Sequence, residues 1–131
     1  MITGLDLVEW QLRVAAGERL PLTQSEILSR AKGCAIEARI YAENPLKDFL
    51  PCTGRIVHLR TPLDCISENE IVEEGIRVDS GVVSGSEVST FYDPMIAKLI
   101  AYGADRSEAL DKLERALRKY QVHNSNNIPI C

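Results

Sequence analysis

The sequence predicts an α+β fold: a small antiparallel sheet or half-barrel, flanked by an N-terminal helix and a long C-terminal helix. Apolar residues recur at helical spacing near both ends of the chain, and one segment between them alternates strictly between apolar and polar residues. Short apolar runs separated by glycine- and proline-bearing turns fill the remainder. Strands this closely spaced favour antiparallel pairing, because parallel pairs need long crossover connections.

The length and charge of the chain limit the class of protein. A chain of 131 residues accommodates one domain with a modest, mostly aliphatic core. The formal net charge is −4, and the sequence lacks the basic patch that binds nucleic acid. No apolar run approaches the roughly 20 residues that span a bilayer. No signal or transit peptide is visible at the start. We therefore expect neither nucleic acid nor membrane as a partner.

The cysteines do not form a recognisable metal or redox motif. Four are present, at positions 34, 52, 65 and 131, and none belongs to a Cys-x-x-Cys pair. With only two histidines in the chain, zinc ligation is poorly supported. Cys34 lies on the apolar side of an alternating segment, which favours a buried reduced thiol over a disulfide. We predict no metal site.

The N-terminal helix is predicted over about residues 4–16. Leucine, valine and alanine side chains recur there at helical spacing, with Thr3 as the N-cap and Asp6 as a capping-box variant. Gly17 suits the position just past the helix end. A loop follows around Pro21, with a short turn of helix near residues 24–28.

Residues 34–43 give the clearest strand signal in the chain. Every second residue is apolar, and the polar side chains between them share the other face. Glu37 and Glu43 would lie about 20 Å apart along such a strand, too far to act on one reacting atom. We therefore interpret Glu37 and Arg39 as members of a cross-strand salt-bridge network.

The middle of the chain predicts several short strands. They fall near residues 55–59, 71–73, 76–79 and 87–91, and a loop occupies residues 61–69. Asp93-Pro94 predicts a tight turn in which Asp93 accepts backbone N–H bonds. The following segment, about residues 97–102, fits either a strand or a helix beginning at Pro94, because Pro suits the first helical position.

The C-terminal helix is predicted from its cap and its apolar stripe. Asp105 is the N-cap and Glu108 is the third helical residue. The predicted stripe consists of Leu110, Leu113, Leu117 and Tyr120. The residues after it are polar, so residues 121–131 are predicted to be a disordered tail.

One arginine on a short strand has two possible roles. Arg77 and Asp79 share the outer face of a strand over residues 76–79. An exposed ion pair of this kind contributes under about 1 kcal/mol, and the pattern alone favours it. Alternatively, the guanidinium is an anion clamp, since a fixed planar donor fork stabilises developing negative charge. No Gly-rich phosphate loop and no Gly-x-Ser-x-Gly elbow accompanies it.

Several strings resemble the biotin carboxylase family, the ATP-dependent enzymes that place bicarbonate carbon on biotin. They are Met1–Val8, Glu37–Pro45, Gly75–Gly81 and Tyr92–Ile100, in the same order as in the family. Among its members, the strings are most similar to the biotin-bearing alpha subunit of 3-methylcrotonyl-CoA carboxylase, and next to that of propionyl-CoA carboxylase. The resemblance implies that residues 1–120 are the C-terminal subdomain of a biotin carboxylase, incomplete at both ends.

The resemblance also implies a role for Arg77. The matching arginine is expected to contact the ureido group of biotin and to stabilise its enolate form as N1 is deprotonated, which makes Arg77 the candidate catalytic and biotin-binding residue. Biotin itself would be carried by a separate domain. The family residues for ATP, magnesium and bicarbonate precede the region that begins here as Met1, so the isolated chain is expected to be inactive.

The implied partners are the rest of the biotin carboxylase subunit, the biotin carrier domain, the carboxyltransferase subunit, and a second copy in a homodimer. The implied location is the mitochondrial matrix, or the cytoplasm in a bacterium. Two alternatives stay open: a non-catalytic dimerisation module derived from such a subunit, and an unrelated α+β domain with an anion-binding surface at Arg77.

Overall fold

The structure is a computed structural model that describes residues 1–64, 74–89 and 91–124. Within these ranges the helices are α1 (Leu7–Ala15), α2 (Gln24–Arg30) and α3 (Arg106–Lys119), with one 3₁₀ turn at Pro45–Lys47. The strands are β1 (Cys34–Tyr41), β2 (Glu43–Asn44), β3 (Leu50–Pro51), β4 (Gly54–Arg60), β5 (Ile76–Ser80), β6 (Glu87–Val88), β7 (Met95–Gly103) and β8 (Gln121–Asn124). This mixture of helices and small antiparallel sheets confirms the predicted α+β class.

The central sheet consists of β1, β7 and β5, in that order, and both pairs are antiparallel. The segment that the sequence left open between strand and helix is the strand β7. Its residues alternate between buried and half-buried along most of its length, as in a strand with one face on the core. Leu99 lies at the middle of the sheet, opposite Ala38 on one side and Val78 on the other.

A second sheet has the order β6, β4, β8, and β2 pairs with β3. Its strand β8 corrects the prediction of a disordered tail for residues 121–124. Val122 and Asn124 are buried, and β8 pairs antiparallel with β4. The apolar side chain of Val122 and the ladder to β4 hold this segment, although its composition is polar. Residues 125–131 lie outside the described residues.

The core of the described residues has two parts. The larger buried cluster joins the central sheet to β4, β6 and β8, and includes Ile40, Ile56 and Val122. The smaller lies between α3 and the central sheet. It joins Leu99 and Ala101 of β7 to Leu113 and Ala116 of α3. The predicted apolar stripe is wrong in detail, because Leu110 and Leu117 are 44% and 39% exposed. The residues that α3 buries are Ala109, Leu113 and Ala116. Alanine side chains let the helix approach the sheet closely, so the buried face is rotated away from the larger leucines.

The first helix begins later than predicted. The carboxylate of Asp6 accepts hydrogen bonds of 3.0 Å from the backbone N–H groups of Val8 and Glu9, so Asp6, not Thr3, is the N-cap. Gly4, at a φ of +66°, interrupts any helix before it. Gly17 has a φ of +88°, as expected for the residue that follows the helix.

The remaining predicted segments differ mainly at their ends. The short helix near residues 24–28 runs to Arg30 and begins with a capping box between Thr23 and Glu26. Of the strand predicted over residues 87–91, the described residues form a strand at Glu87 and Val88, and residue 90 lies outside the described ranges. The strand predicted near residues 71–73 and most of the loop at 61–69 lie outside the described residues. No helix within the described ranges is both long and apolar enough to cross a bilayer.

Candidate functional site

The candidate site is the face of the central sheet that points away from α3, here called the open face. The period-two alternation of the strands places apolar side chains toward α3 and polar ones on the opposite side. The register aligns Arg39, Lys98 and Asp79 in one row and Glu37, Ile100 and Arg77 in the adjacent row. These six residues define the open face.

Arg77 lies on β5, next to the N-terminal segment. Its Nε donates a hydrogen bond of 2.7 Å to Oδ1 of Asp79, and the two side chains are 60% and 44% exposed. The hydrogen bond and the negative charge of Asp79 raise the pKa of the Arg77 guanidinium above its ordinary value, and Asp6 adds to this. An open groove of about 660 Å³ separates Arg77 from the segment around Gly4 and the start of α1. The arginine therefore faces a groove, but a carboxylate compensates its charge.

Arg39 lies on β1 and is not compensated in this way. Its guanidinium carbon is 5.2 Å from the ring centroid of Tyr41, the next residue on the same side of the strand. Lys98 stands directly opposite Arg39 on β7. Among the described residues, no carboxylate lies within ion-pair distance of Arg39 or Lys98. The uncompensated positive charge of the open face is thus centred on these two residues.

The salt-bridge network predicted for Glu37 and Arg39 does not form within the described part of the chain. The register explains this, because Glu37 stands opposite Ile100 and Arg39 stands opposite another cation, Lys98. A cross-strand ion pair needs opposite charges in one row of the sheet. The sequence contained a signal for the observed arrangement: Arg39 and Tyr41 are two residues apart in a strand and therefore share a face.

A bulge and a turn delimit this end of the open face. The register shifts between Ile40 and Tyr41, so Ile40 pairs with Ala97 while Tyr41 pairs with Met95. Just before β7, Oδ1 of Asp93 accepts a hydrogen bond of 2.8 Å from the Met95 backbone N–H, as predicted for this turn. β-Bulges re-aim side chains and are common beside functional sites.

The chemistry of the open face suits an anion or an electron-rich planar group. Two arginines offer planar donor forks and Lys98 offers a compact positive charge. Within the described residues, no three histidine, cysteine, aspartate or glutamate side chains converge on a possible metal position. Cys34 and Cys52 are free thiols, half-buried and buried, while Cys65 and Cys131 lie outside the described residues.

Comparisons with known proteins agree with this architecture. The pattern of the family described as "Biotin carboxylase C-terminal domain" matches residues 37–130. The mitochondrial alpha subunit of methylcrotonoyl-CoA carboxylase from Rattus norvegicus is 52% identical over 122 residues, covering 93% of this chain and 16% of the rat protein. The mitochondrial propionyl-CoA carboxylase alpha chain of Homo sapiens is 46% identical and covers 98% of this chain and 17% of its own length.

Solved structures give the same result. The biotin carboxylase subunit of pyruvate carboxylase superposes with a TM-score of 0.84 at 37% identity, covering 99% of this chain and 26% of that chain. The biotin carboxylase domain dimer of Hydrogenobacter thermophilus 2-oxoglutarate carboxylase, solved with MgADP, ADP and bicarbonate, gives a TM-score of 0.81 at 40% identity over 95% of this chain and 25% of its own.

The family pattern covers most of the chain, including β7, α3 and residues 37–41 of β1. The chain nevertheless spans only about a sixth of the length of the curated relatives above. The region that the chain shares with these relatives is the domain that carries the open face. The sequence match and the structural superposition assign this domain to the same family. The chain belongs to the biotin carboxylase C-terminal domain family.

Proposed function

We propose that the chain supplies the biotin-contacting wall of an ATP-dependent biotin carboxylation site within a biotin-dependent acyl-CoA carboxylase. The observation that carries the proposal is the open face, where Arg39 and Lys98 have no compensating carboxylate among the described residues. Family membership supplies the ligand class, since the relatives are named as carboxylases of this type.

The chemistry follows from the charge that biotin develops. When N1 of its ureido group loses a proton, negative charge spreads to the ureido oxygen. A fixed guanidinium beside that oxygen stabilises the charge, and such an interaction is strongest where water is excluded. N1 would then attack carboxyphosphate, or the carbon dioxide released from it, and inorganic phosphate would leave, while the N1 proton would pass to a base in the rest of the parent enzyme. The arginine acts by electrostatic stabilisation and exchanges no proton itself.

The resemblance points to Arg77 for this contact, and the geometry favours Arg39. Asp79 already takes one donor of Arg77 and offsets its charge, whereas Arg39 keeps its full charge and gains more positive potential from Lys98. The two arginines are two strand spacings apart, about 10 Å across the sheet, and one row apart, about 7 Å along the strands. Both side chains are long enough to approach one ligand, so a direct comparison of variants assigns the contact.

A second role for Arg77 is a contact between two copies of the chain. It lies on β5, at the edge of the central sheet, and its side chain and that of Asp79 are exposed. A paired cation and anion on one exposed edge are self-complementary across a two-fold axis, because each charge can meet its opposite in the other copy. One solved relative is a biotin carboxylase domain dimer.

ATP, magnesium, bicarbonate and the biotin-bearing carrier would be held by the rest of the parent enzyme. The relatives extend well beyond the region that this chain covers. We therefore propose that the isolated chain neither cleaves ATP nor carboxylates biotin. By analogy with the curated relatives named as mitochondrial, the parent enzyme would act in mitochondria. In a bacterium it would act in the cytoplasm.

A chimera tests the proposal. This chain replaces the matching segment of a pyruvate carboxylase component from Methanothermobacter thermautotrophicus, which is 49% identical over 93% of this chain. Free biotin and bicarbonate are supplied, and biotin-dependent ATP cleavage is measured. We expect an active chimera, and a loss of about 100-fold in its biotin-dependent rate for Arg39→Gln. Arg118→Gln, which removes an exposed charge on α3, serves as the matched control.

The outcomes separate the two arginines. A large loss for Arg77→Gln with little effect of Arg39→Gln would assign the ureido contact to Arg77 instead. If Arg77→Glu changes the dimer fraction in analytical ultracentrifugation while the rate per active site holds, Arg77 is an interface residue. An inactive chimera, or equal activity of both glutamine variants and the control, would overturn the proposed function.

A further inference from the structure

We infer that Tyr41 is a positioning residue that holds the Arg39 guanidinium in place for the ligand of the open face. The inference rests on the proposed function of Arg39 and adds to it a residue with no reactive role of its own. Its basis is the contact between the guanidinium carbon of Arg39 and the ring of Tyr41, 5.2 Å from the ring centroid.

The strand geometry makes this contact local. Arg39 and Tyr41 are two residues apart on β1, so their side chains leave the same face of the sheet. The bulge after Ile40 bends the strand at this point and pairs Tyr41 with Met95, leaving Ile96 without a partner in the ladder. Ile96 and Ala97 are both buried, so the core fixes the bulge, and the bulge in turn fixes the direction of Tyr41.

The Tyr41 ring restrains the side chain of Arg39. An arginine side chain has several free torsions, and no carboxylate among the described residues restrains Arg39. The face of a tyrosine ring attracts a guanidinium through its quadrupole and leaves the N–H edge free to donate to a ligand. A carboxylate could also restrain Arg39, as Asp79 restrains Arg77, but its negative charge would offset the positive charge that the ligand needs.

This inference predicts that the ring matters and the hydroxyl does not. In the chimera described above, we expect Tyr41→Phe to keep the biotin-dependent rate within about twofold, and Tyr41→Leu to lower kcat/KM for biotin by about fivefold. The loss should fall mainly on kcat, because a displaced guanidinium affects the charged transition state more than neutral biotin. Val57→Leu, at an exposed strand position, is the structural control.

A spectroscopic readout does not depend on turnover. In the 131-residue chain, the side-chain Nε–H resonance of Arg39 should shift upfield through the ring current of Tyr41. Tyr41→Leu should abolish that shift while the backbone resonances hold. An Arg39 Nε–H resonance that Tyr41→Leu leaves unmoved would overturn the inference. So would a Tyr41→Leu chimera with normal kinetics alongside an impaired Arg39→Gln chimera. Normal kinetics for Arg39→Gln would remove the ureido contact from Arg39 and overturn this inference, and the proposed function would fall only if Arg77→Gln were normal as well.

Discussion

The backbone N–H of Tyr102 donates a hydrogen bond of 2.8 Å to the carbonyl oxygen of Gly75, where β5 begins beside the end of β7. Gly75 has a φ of +93°, and a Cβ atom placed on it would lie 2.6 Å from the Tyr102 carbonyl oxygen. Glycine is therefore required here on two counts. The turn starts the register that sets Arg77 opposite Ile100 on the open face.

Gly75→Ala should destabilise the chain by about 2–3 kcal/mol, because alanine at this φ is strained and its methyl group collides with backbone. Urea unfolding followed by circular dichroism measures the loss. Gly81→Ala is the matched control, since nothing lies within 4 Å of a Cβ at Gly81. Equal losses for the two variants would show that the turn does not need glycine.

Two leucines of α3 should respond very differently to truncation. Leu113 is 9% exposed and belongs to the buried cluster under the central sheet, whereas Leu110 is 44% exposed. We expect Leu113→Ala to cost about 2–4 kcal/mol and Leu110→Ala under about 1 kcal/mol. Thermal unfolding of both variants compares them directly. A larger loss of stability for Leu110→Ala than for Leu113→Ala would support the apolar stripe that the sequence predicted.

The strand β8 provides a similar test of its pairing with β4. Val122 is 7% exposed, while Val57 on β4 is 58% exposed. Val122→Ala should cost about 1–2 kcal/mol, through lost burial and a partly filled cavity, and Val57→Ala should cost only a few tenths. The free energies of unfolding of the two variants, each compared with that of the parent chain, test this prediction. If Val122→Ala is as mild as Val57→Ala, residues 121–124 contribute little to the fold.

Glu108 should make the stability of the chain sensitive to acid. Its carboxylate accepts a hydrogen bond of 2.6 Å from the Ala104 backbone N–H and pairs with Lys112 at 2.8 Å, and the Lys112 hydrogen bond is the main cause of a pKa below the ordinary 4.5. Because the folded pKa is lowered, this stabilisation is present above pH 4.5 and is lost as the pH falls through the lowered value.

Carboxyl ¹³C NMR titration of Glu108 should give a midpoint below 4.5 in the folded chain. The stability of Glu108→Gln should change less than that of the parent chain between neutral pH and the acid range. A midpoint at or above 4.5, or an unchanged acid dependence in the glutamine variant, would contradict the assignment.

Local sequence signals predicted the elements better than their packing. The alternation over residues 34–43 predicted β1, and Asp105 with Glu108 predicted the start of α3, because both depend on neighbours in the sequence. The buried side of α3 depends on how close the helix comes to β7, which the spacing of its leucines does not contain. For the same reason, a polar composition concealed β8, whose order comes from β4, a partner distant in the sequence.

The site illustrates the same limit. The sequence placed Arg39 and Arg77 on polar strand faces, and both are there. Which arginine has its charge offset by a nearby carboxylate depends on the register of β1, β7 and β5. That register sets Arg39 opposite Lys98, and the side chains then join Arg77 to Asp79. No local pattern in the sequence encodes the register, so the two arginines are distinguished only once the three strands are paired.

The alternation along β1 also divides its sequence into two independent sets of positions. Side chains at the even positions Ile36, Ala38 and Ile40 serve folding, while those at the odd positions Glu37, Arg39 and Tyr41 face outward. A library that varies only the odd positions would explore ligand preference in a protein that still folds. A library at Ile36 and Ala38, away from the bulge beside Ile40, would act mainly on thermal stability. One strand of eight residues thus contains different positions at which ligand selectivity and thermal stability can be varied.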